Sequence, residues 1–395
     1  MQNDALILYG AIATPPSTIE KRWVTRKIKI RRLTDRLKFK LLNQHSANYR
    51  NYASKNNYNR GDHAILQASA QTIRRFLPNT ELKPLNWEER DTSLGQKTSI
   101  AICGSGYFFL NERAQFPKRL RDDLAWFNRQ KMAMIYGSGV NLIDPRLEKG
   151  GLSLPPEEAD FLAEFLEKFE HISVRDAASQ RLLQSCTSRT VHLVGDPALF
   201  IEASKPPQAE QRLASGRVHI GINLPFHGPS ACARINEDFD SYVIAFKEIQ
   251  KKTDCLFHYM VHYDSELLVA DLLQDAGIRL KVVHGDVDDL LHTYKQLNCH
   301  IGGMLHSCIL SSSTGTPAIG LAYDIKHSGF FDLLGLSEHC IPAQPFEPDR
   351  VVSLTLNTLK NEQALRSTIL SRRLALRNNA DNFLQSALQQ FQPKA

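Results

Sequence analysis

The sequence predicts an α/β chain of two parallel-sheet domains facing a cleft, and three observations predict it. Short apolar runs of strand length alternate with helical stretches over most of the 395 residues. A polar, Pro-rich joint at 204–208 (SKPPQ) divides that alternation near its middle. The length itself exceeds one ordinary core, at roughly 150 residues per domain.

In the first alternation, residues 5–9 (ALILY) read as a buried strand. Residues 62–77 read as a helix, because Leu66, Ala70, Ile73 and Leu77 recur at helical spacing. A βα connection ordinarily takes about 2–6 residues, so the stretch between these elements reads as an insertion, at about 15–58. Loops leaving the carboxyl ends of parallel strands border the ligand crevice, which sets the insertion beside the site. Strands follow at 99–103 (SIAIC) and 132–136 (MAMIY), each leading into a Gly-Ser-Gly turn. Such turns permit close approach to a phosphate but fit any tight strand-to-helix connection. A helix at 156–169, a strand at 171–174, a helix at 177–186 and a strand at 191–194 complete this half.

The second alternation places strands at 218–223, 255–261, 279–283, 299–301 and 318–322, with helices near 265–276, 287–296 and 305–314. The last stretch, 359–392, is helical in pattern and is expected to cross back to the first domain. The expected division is 1–205 with the basic insertion, 206–358, and a helical segment 359–395. Two Rossmann-like domains facing each other across a cleft form a GT-B-like arrangement.

Net charge is +6, and its distribution says more than its total: residues 1–60 hold 13 Lys/Arg against 3 Asp/Glu, leaving 35 against 39 elsewhere. Between Lys21 and Lys40, basic residues interleave with Trp23, Ile28, Ile30, Leu33, Leu37, Phe39 and Leu41. The segment reads either as a helix packed on the protein by that apolar stripe or as a basic amphipathic helix resting on an anionic membrane. No named nucleic-acid motif is present, so no nucleic-acid partner is expected. The seven cysteines are scattered, without a C-x-x-C pair, and suggest a reducing compartment, neither disulfide framework nor zinc cage. With no spanning apolar run and no signal-peptide pattern, the expected location is cytoplasmic, peripheral at the inner face of the membrane.

Three places carry chemistry. Asn59-Arg60-Gly61-Asp62 opens the first helix, where Asp62 is either a simple N-cap or a cleft-facing acid/base, and Asn59 lines the cleft. Ser173-Val174-Arg175-Asp176 brings Arg175 to a strand's carboxyl end, suited to a phosphate or carboxylate, or else to an ion pair with Asp176; Asp196 in the later GDPALF turn lines the same cleft. Third, Gly302-Gly303-Met304-Leu305-His306 runs from strand into helix, followed by Tyr323, Lys326 and His327. His306 in a first helical turn sits where the helix field favours anions. His258 and His262 share a strand face but lack a carboxylate or cysteine to complete a shell, so no metal site is expected.

Taken in order, NRGDHAI, SVRDAAS with GDPALF, and MLHSCILSSSTGTPAIGLAYDIKHSGFFDLLG resemble the successive signatures of the polysaccharide pyruvyltransferase family, over roughly residues 59–336. The resemblance implies a GT-B-like fold, phosphoenolpyruvate as co-substrate with no other cofactor, and a glycan or lipid-linked sugar acceptor that receives pyruvate as a ketal in exopolysaccharide or cell-surface glycan synthesis. It maps the family's donor-binding Arg onto Arg175, and its Arg-Leu-His segment onto Met304, Leu305 and His306, so that Met304 stands where the family has Arg. The expected roles are His306 and Asp62 in acid/base catalysis, Arg175, Lys326, His327 and Leu305 in donor binding, and Asn59, Asp196 and Tyr323 along the acceptor side. Two other readings stay open: a GT-B glycosyltransferase using a nucleotide-sugar donor, and a catalytically silent glycan-binding member.

Overall fold

The structure is a computed structural model that describes residues 5–11, 59–87, 99–142, 152–207, 216–224 and 235–389, with Leu213 and six positions between 30 and 37. The rest of the basic insertion lies outside the described residues.

Two six-stranded parallel sheets carry the fold. The first is built from β1 (Leu6–Gly10), β2 (Leu82–Asn86), β3 (Ser99–Cys103), β5 (Lys131–Ser138), β7 (Ile172–Val174) and β8 (Val191–Leu193), in the spatial order β2-β1-β3-β5-β7-β8. A two-stranded side sheet pairs β4 (Phe108–Leu110) with β6 (Val140–Leu142). The second six-stranded sheet uses β9 (His219–Asn223), β10 (Leu256–Met260), β11 (Leu280–Val283), β12 (Cys299–Gly302), β13 (Ala318–Ala322) and β14 (Cys340–Pro342), in the order β11-β10-β9-β12-β13-β14. Central strands are buried on both faces, as Leu6–Gly10 and Ser99–Cys103 are at every position, which is why they read as continuous apolar runs rather than alternating ones. The expected GT-B-like pair of Rossmann-like units is what forms.

Among the described residues these helices cover the sheets: α1 (Arg60–Arg74), α2 (Lys118–Phe127), α3 (Pro156–Leu166), α4 (Ala177–Gln184), α5 (Ile235–Thr253), α6 (Leu267–Asp275), α7 (Val287–Tyr294), α8 (Leu305–Ser313), α9 (Ile325–Leu333), α10 (Pro348–Lys360) and α11 (Glu362–Ala387). None of these described helices is long and apolar enough to cross a membrane. Beyond the expected elements the structure adds β2, α2, the side sheet, α5, α9, α10 and β14. The strand β2 evades a pattern search because Pro84 interrupts it, and a proline that cannot donate to the ladder is tolerated at the sheet edge where β2 lies.

Each sheet has one topological switch point, between β1 and β3 in the first and between β9 and β12 in the second, where ligand crevices open in such folds. The helices α1 and α8 start at the two switch points. They meet inside a core that runs through both halves, joining Leu6, Leu8 and Ile65 to Leu290, Leu305 and Ile309. The helix α11 spans the junction as expected. Its Arg366 donates to Thr316 Oγ1 at 3.1 Å on one side; on the other, Arg373 donates to Leu199 O at 2.9 Å and Phe383 stacks on Tyr136 at 6.2 Å.

Candidate active site at the domain seam

The N-cap of α1 is Asn59, whose Oδ1 accepts from Gly61 N at 2.9 Å and Asp62 N at 3.4 Å. This corrects the reading of Asp62 as a simple cap, and it gives the Asn59 side chain a part in the helix start. Asp62 lies in the first turn, and its carboxylate takes a hydrogen bond from Asn59 Nδ2. Burial pushes the Asp62 carboxyl up to about 6, against the opposing influence of His306, the Asn59 hydrogen bond and Lys326.

His306 comes from the opposite domain, in the first turn of α8 after the N-cap Met304. Its ring packs on the backbone of Gly61: a Cβ there would stand 2.6 Å from His306 Cγ and 2.7 Å from its Cβ. The glycine is therefore what allows the two helix starts to touch. His306 Nε2 lies 3.8 Å from Asp196 Oδ2, and both atoms are buried without a hydrogen-bond partner among the described residues. The other oxygen of Asp196 accepts from Ala198 N at 2.9 Å and fixes the carboxylate by capping the turn Pro197–Phe200. Two unsatisfied polar atoms facing each other are costly in a structural core and ordinary in a site that a substrate completes.

Cationic groups gather along the same seam. Lys326 Nζ lies 3.6 Å from Asp324 and 5.1 Å from the Tyr323 ring centroid, so that Tyr323 backs the ammonium. Its charge is felt by Asp62 on one side and by His327 on the other. Arg175 is nearly buried: its Nη2 donates to Asn141 Oδ1 at 2.7 Å and Val140 O at 3.3 Å, and its Nε pairs with Asp176 at 3.3 Å. The ion pair with Asp176 that the sequence left open is thus formed. Asp176 in turn packs against Gly329 of α9, and this brings the Arg175 turn to the second domain.

Two expected donor ligands are corrected. His327 is fully buried, bonded to Gly303 O at 3.2 Å, and held down to about 3, by burial first and then by Lys326 and Arg175. It is neutral at pH 7 and supplies no charge to a donor. Leu305 points into the interdomain core, so its side chain meets no donor. His258 and His262 have interior partners, His219 at 2.9 Å and Tyr294 at 2.9 Å, in keeping with a structural role. Among the described residues no group of three or more His, Cys, Asp or Glu is arranged to hold a metal ion.

Sequence reasoning passed over Arg60, whose side chain crosses the seam to Asp264 at 3.1 Å, His262 O at 3.3 Å and Gly285 O. It pins the start of α1 to the second domain. The only local signal was its place inside NRGD.

Comparison with known proteins fits this architecture. A curated relative, the amylovoran biosynthesis protein AmsJ of Erwinia amylovora, is 29% identical over 93 residues, covering 23% of this chain and 22% of that protein. Among solved structures, the UDP-GlcNAc 2-epimerase of Neisseria meningitidis bound to UDP-GlcNAc superposes with a TM-score of 0.50 at 12% identity over 98% of this chain and 99% of that one. An α,α-trehalose 6-phosphate synthase of Burkholderia multivorans gives 0.47 at 9% identity over 98% of each chain. The likeness to the epimerase concerns the fold alone. The family model for polysaccharide pyruvyl transferase matches residues 59–325, from the Asn59 cap through the start of α9, and on that match the chain belongs to the polysaccharide pyruvyl transferase family.

Proposed function

We propose that this chain moves the enolpyruvyl unit of phosphoenolpyruvate onto two hydroxyls of a sugar, closing a pyruvate ketal in an exported or cell-surface polysaccharide. The observation that carries the reading is the meeting of Asp62, the Asp196–His306 pair and Lys326 where the two switch points face each other. Phosphoenolpyruvate presents a carboxylate and a phosphate: Lys326 supplies charge at one corner, and Arg175 supplies it at the other by exchanging its Asp176 partner for the donor.

In this scheme His306, oriented by Asp196, delivers a proton to the donor's methylene carbon, and C2 becomes electrophilic. A sugar hydroxyl adds to C2 and passes its proton to Asp62; the C2–O bond to phosphate breaks, and a neighbouring hydroxyl closes the ketal. The two hydroxyl protons end one on the new methyl group and one on the released phosphate. An Asp62 carboxyl held at about 6 suits that exchange, because a proton-transfer group works best with its pKa near the working pH.

The test is to incubate the pure protein with phosphoenolpyruvate and a panel of free and lipid-linked oligosaccharides, measuring phosphate release and the mass gain of pyruvylation. Release that needs both substrates supports the reading. Binding of a nucleoside diphosphate with no effect of phosphoenolpyruvate replaces it with nucleotide-sugar transfer.

A cytoplasmic location with peripheral contact to an anionic membrane belongs to the same proposal. In its support, Ile30, Leu33 and Leu37 are exposed at helical spacing, while Arg32 turns inward to Asp271 at 2.6 Å and Arg36 to Asp275. The arginines hold the protein and the apolar edge faces out, the reverse of a helix packed for solubility. Co-sedimentation with anionic but not neutral vesicles is the expected result; equal and negligible binding to both removes the contact.

A further inference from the structure

We propose that Ser105 is a hydroxyl-binding residue of the acceptor subsite, receiving one sugar hydroxyl together with the Asp62 carboxylate in a notch at the carboxyl ends of β1 and β3. The proposal rests on the pyruvyl-transfer reading and deepens it.

Three described residues other than glycine have left-handed backbones: Ser105 (φ 57°), Ala114 (φ 55°) and Asp254 (φ 50°). Such conformations are costly for an L-residue and persist where the surroundings impose them. Two have local explanations. Ala114 closes a turn onto Asn111 O at 3.0 Å, and Asp254 holds Arg279 at 2.7 Å and Arg217 at 3.3 Å. Ser105 differs, because its side chain makes nothing of the strain: Oγ is buried without a hydrogen-bond partner among the described residues. Its backbone is fixed instead, with Ser105 O accepting from Gly139 N at 2.9 Å and Ser138 Oγ at 3.4 Å.

The position of this orphan hydroxyl gives it meaning. Ser105 and Asp62 both line a notch of about 10 Å³, together with Gly10, Ala11 and Cys103, at the switch point of the first sheet. That space admits about one water-sized group and no three-oxygen phosphate. A hydroxyl is the ligand whose chemistry matches: it donates to the Asp62 carboxylate and accepts from Ser105 Oγ.

Ser105→Gly and Ser105→Ala test this against the wild type, with phosphoenolpyruvate and the best oligosaccharide acceptor of the panel. Glycine removes the backbone strain, so Ser105→Gly is expected to melt about 2 °C higher. Both variants are expected to raise the acceptor KM about tenfold, the loss of one buried hydrogen bond, and to leave the phosphoenolpyruvate KM within about twofold. An unchanged acceptor KM in both variants of an active enzyme overturns the assignment and leaves an ordered water as the notch's occupant. A lower melting temperature for Ser105→Gly overturns it too, because the side chain is then structural. A wild type that transfers nothing to any acceptor removes the transfer reading and the subsite with it, and is told apart by the inactivity of the parent protein.

Discussion

Asp62 of the first domain and Glu266 of the second are both carboxylates raised by burial, to about 6 and about 8, yet they sit in opposite kinds of surroundings. One oxygen of Glu266 accepts from His262 N at 2.7 Å, Asn223 Nδ2 at 2.9 Å and Tyr263 N at 3.1 Å, inside a fully buried pocket that Arg60 reaches from the first domain. Asn223 in turn accepts from Met304 N at 3.2 Å and so steadies the turn that launches α8. Among the described residues Asp62 has one side-chain donor, a histidine and a lysine from the other domain, and a notch beside it. A displaced pKa therefore does not by itself mark a catalytic group; the partners and the room for a ligand do.

Four experiments break or sharpen that contrast. The largest effect is expected from His306→Ala, which removes the group that faces both Asp62 and Asp196. Pyruvyl transfer, read as phosphate release, is expected to fall by about 10²–10⁴-fold with the circular dichroism unchanged. Asp62→Asn is expected to lower kcat by about 10²-fold and to abolish the limb of the pH–rate profile near 6. It also has a stability signature. The folded Asp62 carboxyl titrates at about 6 against an unfolded value near 3.9, so the folded state binds more protons between them. Wild-type stability is therefore expected to decline as pH rises through that window and to level off above it, and Asp62→Asn flattens this slope in thermal melts.

Gly61→Ala is expected to cost about 1–3 kcal/mol in chemical denaturation and to lower activity with it, because the new methyl group collides with the His306 ring and forces the helix starts apart. The smallest effect belongs to Glu266→Gln. The amide oxygen keeps the three donors, so activity is expected to stay within about threefold of wild type. The variant's gain is in stability, where the decline expected of the wild type between about pH 4 and 8 is removed. Loss of activity on the scale of Asp62→Asn would show that Glu266 acts in the reaction and erase the contrast.

Much of this architecture was legible residue by residue. The buried runs at Leu6–Gly10 and Ser99–Cys103 announce parallel strands because both faces are covered, and the spacing of Leu66, Ala70 and Ile73 announces α1 because one stripe faces the core. His306 was found from its place between a strand and a helix, and the first turn of α8 is where it lies. The neutrality of His327 was not legible, since nothing in the sequence says that it is sealed behind Gly303 and beside two cations. Nor was Asn59 as the true cap, because Asn and Asp are equally good cap residues and the backbone decides between them.

The sequence by itself determined the alternation of strands and helices, the two-domain frame and the family, because periodic burial and ordered motifs are local properties of the chain. Only the tertiary structure decided that Gly61 makes room for His306, that Asp196 faces the imidazole, and that Ser105 and Asp62 share one notch. Those relations join residues that lie far apart along the chain. They exist because the switch points of two separate sheets are pressed together by a common core and a crossing helix, a balance of packing that no single segment encodes.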